Sequence, residues 1–176
     1  MTTPAAPPIS IQNISAELRI VGSGQLNYDH VKRLAGLSRL ATGVSLSQLL
    51  GKTRPYWAGV DAAVSGNSIG YSASSLVGAL FPSTDVYFGN VQIRQLMTTT
   101  YGGATVQTGL VFASDPGFRN DVKARLLDED FGFIREVTLT YSASTGNWFT
   151  PELAVGSAAA TLFTGAGSFE LDLIKL

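Results

Sequence analysis

Side chains able to do acid–base or nucleophilic work are few and scattered. His30 is the only histidine and cysteine is absent. A thiolate metal site, a disulfide framework and a His-pair metal motif are therefore excluded, and a Ser-His-Asp triad would depend on His30 alone. His30 follows Tyr28 and precedes the apolar Val31, with no patterned acid or nucleophile beside it. It reads as an ordinary side chain at a helix start. Gly66-Asn67-Ser68-Ile69-Gly70 approaches the spelling of a nucleophile elbow, but no predicted parallel strand precedes it and no amphipathic helix follows. The expectation there is a flexible loop. Gly22-Ser23-Gly24 lacks the further glycine and the Lys-Ser/Thr of a phosphate loop.

Asp128-Glu129-Asp130 is the one dense acidic cluster. Its carboxylates suit glycoside hydrolysis or, with Asp115 and Asp121, calcium ligation. Neighbouring carboxylates on a strand point to opposite faces, so the plainer reading is a solvated turn between Leu126-Leu127 and Phe131-Gly132-Phe133. Tyr56, Trp57, Tyr71, Tyr87, Tyr101, Tyr141 and Trp148 suit a sugar platform as well as a core. No catalytic, cofactor or metal residue is assigned, and a non-enzymatic role is expected.

Of the 176 residues, 45% are hydrophobic and 14% charged, and 19 are glycine. So low a charged fraction fits a folded chain whose surface is covered by neighbours. The net charge of −1 argues against general nucleic-acid binding. No apolar run reaches the 18 residues of a membrane helix, and the opening Met1-Thr2-Thr3-Pro4 lacks the features of a signal peptide. The expectation is assembly in the cytoplasm without membrane insertion. The small net charge hides a division. Through residue 55, six bases (Arg19, Lys32, Arg33, Arg39, Lys52, Arg54) face two acids (Glu17, Asp29), a net +4. The remainder has six bases and eleven acids, a net −5.

The elements that would position these residues change character at the same boundary. Residues 1–55 read as an extended start followed by short helices. One begins at Ser10 and carries Ile11, Ile14 and Leu18. A second, capped by Asn27 or Asp29, carries Val31, Leu34 and Ala35 and stops at Gly36. A third, capped by Ser45 or Ser47, runs Gln48-Leu49-Leu50 to Gly51. Helices this short are marginal alone and need a partner surface. Residues 56–176 read as short antiparallel strands between Gly and Ser loops, the pattern of a sandwich or barrel-like domain. They include short strands around Asn90 carrying Val86, Phe88, Val91 and Ile93, then Thr105 to Phe112, Glu136 to Tyr141, a Trp148-Phe149 return after the turn Ser144-Thr145-Gly146-Asn147, and a terminal strand bearing Phe169, Leu171 and Leu173. The expected fold is mainly β, an antiparallel β-sandwich or jelly-roll-like domain preceded by a short helical segment.

Three pieces of the first 52 residues occur together in order. They are Ile14-Ser15-Ala16-Glu17-Leu18, then Leu26-Asn27-Tyr28-Asp29-His30-Val31-Lys32-Arg33-Leu34-Ala35-Gly36, then Thr42-Gly43-Val44-Ser45-Leu46-Ser47-Gln48-Leu49-Leu50-Gly51-Lys52. This arrangement resembles an N-terminal segment of virion proteins of tailed bacteriophages, especially tail, baseplate and appendage proteins. Ile69-Gly70-Tyr71, Gly78-Ala79-Leu80-Phe81-Pro82-Ser83-Thr84 and the strand Ile93-Arg94-Gln95-Leu96 are similar to a β-rich module that often follows it. The module's closing Thr-Trp-x-Trp has no match here. The resemblance implies a structural virion component, tail, baseplate or fibre-associated, whose partners are other virion proteins and copies of itself in a trimer or larger ring. A capsid decoration protein and a tip that binds a host-surface glycan are the alternatives. The docking residues expected are Leu26, Val31, Lys32, Arg33, Leu34, Leu46, Leu49 and Leu50. They would bury apolar faces that short helices cannot bury alone, at about 1.5–3 kcal/mol per large side chain.

Overall fold

The computed structural model describes Asn13 and residues 29–51, 55–81 and 91–176. The chain divides into two compact units: Met1–Arg54 with Glu129–Gly132, and Pro55–Asp128 with Phe133–Leu176.

The second unit is built of antiparallel strands: β1 (Tyr56–Ser65), β2 (Ser68–Ser72), β3 (Ala79–Phe81), β4 (Ile93–Tyr101), β5 (Thr105–Phe112), β6 (Val122–Leu127), β7 (Phe133–Ser142), β8 (Asn147–Phe149), β9 (Leu153–Ala154) and β10 (Gly167–Lys175). Neighbours run β1-β2-β4-β5-β8-β7-β6-β10, and β10 pairs back onto β1 through Tyr56↔Leu173 to Ala62↔Gly167. The circuit is an eight-stranded antiparallel barrel, with β3 paired beside β1 and β9 beside β5. The mainly β, antiparallel expectation agrees with this, and of the sandwich and the barrel-like arrangement the strand circuit forms the barrel. β1 pairs β10 along its first part and β2 at its end. β7 pairs β6 first and β8 last. Each passes from one half of the sheet to the other and so joins the two faces of the expected sandwich into one closed surface. Closure leaves fewer free edges than a sandwich would.

Alternation decides which side chains enter the barrel. β5 buries Val106, Thr108, Leu110 and Phe112; β6 buries Val122, Ala124 and Leu126; β10 buries Leu171 and Leu173. β1 contributes Tyr56, Ala58, Val60 and Ala62, small residues interleaved with large ones. An eight-stranded barrel is just wide enough for side chains to fill it. Trp148, Leu96, Leu139 and the strand residues above do so, joined by Leu162 and Phe163 from the 155–166 connection.

That connection is held by hydroxyls. Thr108 Oγ1 donates to the Ala160 carbonyl at 2.8 Å and lies 2.8 Å from Thr98 Oγ1. Because a carbonyl only accepts, the Thr108 proton is committed to Ala160, and Thr98 must be the donor to Thr108. Thr98 Oγ1 in turn accepts from the amides of Leu162 (3.1 Å) and Phe163 (3.0 Å). Phe163 also explains a glycine. Gly70 has φ +141°, and a Cβ there would run into the Leu96 carbonyl and press on the Phe163 ring at 3.0 Å. The segment containing Gly70 is no flexible loop. Gly66 and Asn67 are the two-residue turn of the β1–β2 hairpin, closed by Ser65↔Ser68, with Gly66 at φ +58°.

Candidate functional site

In the first unit, Asp29–Ala35 forms a helix, α1, and Leu46–Leu49 a 3-10 helix in contact with it. The stop signals act as the sequence suggests. Gly36 takes φ +75°, its amide bonds to the Arg33 carbonyl, and the Leu37 amide reaches the Lys32 carbonyl, the paired bonds that close a helix C-terminus. At the second helix, Gln48 Oε1 accepts from the Ser45 amide at 2.8 Å and the Gln48 amide bonds back to the Ser45 carbonyl. The expected helix from Ser10 lies outside the described residues apart from Asn13, which is helical.

The eight docking candidates separate sharply. Leu26 lies outside the described residues. Val31, Leu34 and Leu49 are buried and Leu50 is half-buried, whereas Leu46 is 37% exposed. Lys32 Nζ donates to the Arg39 carbonyl at 2.7 Å and stands 3.7 Å from the Asp29 carboxylate, which Arg39 also approaches at 3.4 Å. The Arg33 and Arg39 guanidiniums lie 5.3 and 4.5 Å from the centroid of the Phe131 ring. Phe131 adopts φ +63°, a strained setting for an aromatic residue, and its neighbour Asp130 accepts the Arg39 amide at 2.8 Å. Among the described residues of the segment, Lys32, Arg33 and Arg39 are thus engaged within their own unit. The residue that sequence reasoning passed over is Leu40, 75% exposed, in a turn between the two helices where no apolar periodicity marks it.

The chemistry-bearing candidates stay apart. His30 is exposed at the start of α1. Asp128, Glu129 and Asp130 are exposed at the β6–β7 connection, and among the described residues no three His, Cys, Asp or Glu side chains gather as a metal would need. Tyr56, Trp57 and Trp148 are buried, Tyr71 and Tyr141 half-buried and Tyr101 exposed, while Tyr87 lies outside the described residues. Trp148 is a core residue whose Nε1 donates to the Asn120 carbonyl at 2.8 Å.

A cleft of about 180 Å³ opens at one end of the barrel, between the β5–β6 loop and the β7–β8 turn. Phe112, Ser114, Asp115, Arg119, Tyr141 and Gly146 line it. Arg119 holds Asp115 with two parallel bonds, Nη1 to Oδ1 at 2.8 Å and Nη2 to Oδ2 at 2.7 Å, and its Nη1 also donates to the Phe118 carbonyl. The Gly117 amide adds a bond to Oδ1 at 2.8 Å. Arg119 first, and then this amide, hold the Asp115 carboxyl well below the usual carboxylate range, and Asp115 in turn strengthens the protonated guanidinium. Arg119 lies over the Tyr141 ring at 4.7 Å, and Tyr141, Trp148, Phe118 and Phe112 continue as edge-on and tilted ring contacts into the core.

Fold and sites together define a filled antiparallel barrel carrying a separate helical unit. No family model, curated protein or solved structure matches the chain. Its function is therefore argued from its own residues.

Proposed function

We propose that this chain is a non-enzymatic structural component of a bacteriophage virion, tail, baseplate or fibre-associated, that docks on neighbouring subunits through its N-terminal unit. The observation that carries the reading is the exposure of Leu40 and Leu46 on a unit whose helices are already capped and whose Val31, Leu34 and Leu49 are already covered. Such a unit presents Leu40 and Leu46 to a partner without first having to fold against it. It coincides with the part of the chain that resembles virion docking segments. The filled barrel supports the same reading, since an interior occupied by Trp148, Phe163 and leucines serves as a rigid body better than as a container.

Docking is assigned chiefly to apolar burial by Leu40 and Leu46. Lys32 and Arg33, expected to steer the contact, are engaged with Asp29, the Arg39 carbonyl and Phe131. Leu40→Glu with Leu46→Glu should leave the circular dichroism and melting of the chain unchanged while reducing its incorporation into particles at least about tenfold. That ratio corresponds to about 1.4 kcal/mol, less than one fully buried leucine supplies. Normal incorporation of the double variant would refute the assignment.

A further inference from the structure

The loop between β2 and β3 is exposed, strained and firmly held. Along β1, Gly70 pairs with Ala63 and Ala79 with Asp61, so residues 71–78 leave the line of the strand opposite Ala62 alone. Ser72 and Val77 exchange both backbone bonds, at 2.8 and 3.0 Å, and close the loop Ala73-Ser74-Ser75-Leu76. The Ala73 amide bonds to the Arg94 carbonyl at 2.9 Å, and Arg94 Nε donates to Ser74 Oγ at 3.1 Å. Gly78, at φ +65°, locks the base, since a Cβ there would run into the Asp61 and Gly70 carbonyls. At the end of this loop Leu76 takes φ +54° and is 91% exposed. Left-handed backbone is disfavoured for leucine, and a leucine left in water gains nothing from burial. Phe131, the other described non-glycine residue at positive φ, sets its ring against Arg33 and Arg39. Leu76 stays in solvent.

What would cover it follows from its surroundings. Phe81, 58% exposed, stands opposite Gly59 on the outer face of β3 and β1. Asp61, two residues along from Gly59, is exposed on that same face and flanks the loop from β1. Arg94, also exposed, flanks the loop from β4. Among the described residues neither Asp61 nor Arg94 enters an ion pair. The patch thus carries two exposed apolar side chains and one unpaired charge of each sign on opposite flanks. A partner surface of one sign would set one of these charges against its like. The patch turned through 180° meets its own complement, cation to anion on both flanks, with each leucine brought to a phenylalanine. That is the requirement for an isologous two-fold contact.

We propose that the 73–76 loop, with Asp61, Phe81 and Arg94, is a two-fold interface with a second copy of this chain. Leu76 of each copy packs on Phe81 of the other, and Arg94 of each faces Asp61 of the other. The proposal does not depend on the virion assignment, because every residue it uses belongs to the barrel unit.

The test is sedimentation equilibrium of the full-length protein over about 1–500 μM, where a monomer–dimer equilibrium is expected with a dissociation constant of about 1–100 μM, as suits a small contact. Leu76→Gly eases the backbone, so it should leave the melting temperature unchanged or raised while weakening dimerisation at least about tenfold. Arg94→Glu and Asp61→Lys, each alone, set like charges together twice across the axis and should stay monomeric. Mixed in equal amounts, these two variants should pair with each other, because both ion pairs are then restored, and the pairing should weaken in about 1 M salt. A wild-type chain that is monomeric throughout the range, an assembly unaffected by Leu76→Gly, or a mixture of the two charge variants that stays monomeric would each overturn the proposal.

Discussion

The hydroxyl chain between Thr98, Thr108 and Ala160 makes a demanding prediction. Thr108→Val keeps the shape of the side chain and removes one oxygen from a fully buried position. Two groups are then orphaned: the Ala160 carbonyl loses its donor, and the Thr98 proton loses its acceptor. The Leu162 amide still has Thr98 Oγ1 at 3.1 Å, so it is not a third. Leaving a buried polar group unpaired costs about 1–3 kcal/mol, so the substitution should cost about 2–6 kcal/mol. At 2–4 °C per kcal/mol for a chain of this size, the melting temperature should fall by about 5–20 °C. Thr108→Ser keeps the oxygen and should lose only about 1 kcal/mol, for the missing methyl. Thermal unfolding of the three proteins gives the magnitude, and hydrogen exchange at the Leu162 and Phe163 amides gives the place, since the valine variant should lose protection there first. A valine variant within about 2 °C of wild type, with those amides equally protected, would refute the claim that this chain of hydroxyls holds the 155–166 connection in the barrel.

Asp115 is bound to Arg119 in the folded state, so its folded pKa lies below the ordinary value of 3.8. Its contribution is complete above the unfolded value and is lost as pH falls through the folded one; Asp115→Asn should therefore show a shallower loss of stability than wild type below about pH 4 in acid titrations followed by fluorescence. Glu136 should behave likewise: burial opposes its charge, but hydrogen bonds from Arg125 and Lys123 outweigh that and lower its pKa. Phe131→Ala removes the ring under Arg33 and Arg39, worth about 1–2 kcal/mol for two such contacts, and limited proteolysis should then cut within residues 29–51 several-fold faster, with the barrel's core amides unchanged in exchange.

How much of this was legible in the sequence depended on the range of the interactions. β5, the late hairpin of β7 and β8, and β10 declared themselves because apolar residues alternate, imperfectly over Thr105 to Phe112 and more clearly at Val137 with Leu139 and at Phe169, Leu171 and Leu173, and a local turn at Ser144 to Asn147 fixes the return. β1 did not. Its inward residues include Ala58 and Ala62, and its stretch Ala58-Gly59-Val60-Asp61-Ala62-Ala63 has weak strand propensity. The strand exists because β10, more than a hundred residues away, pairs with it. The choice between a sandwich and a closed barrel was hidden for the same reason, since closure rests on a pairing between the two ends of the domain.

The sites divide similarly. Helix stops at Gly36 and Gly51 followed from local chemistry, as did the Ser45–Gln48 cap. The engagement of Arg33 and Arg39 by Phe131 did not, because that ring arrives from a distant hairpin connection in a backbone setting no local pattern marks. Asp115 and Arg119 carry a hint in their spacing of four. In a loop, however, that spacing implies no contact, and the bidentate geometry comes from the Gly117 turn between them.

The most direct test of the structural assignment is the copy number of the chain in purified particles made from the genome that encodes it, measured by quantitative mass spectrometry against the major capsid and tail proteins. A structural component should be present at a constant number per particle that matches the symmetry of its site, and resist removal by high-salt washing. A chain abundant in the infected cell but absent from washed particles would contradict the assignment.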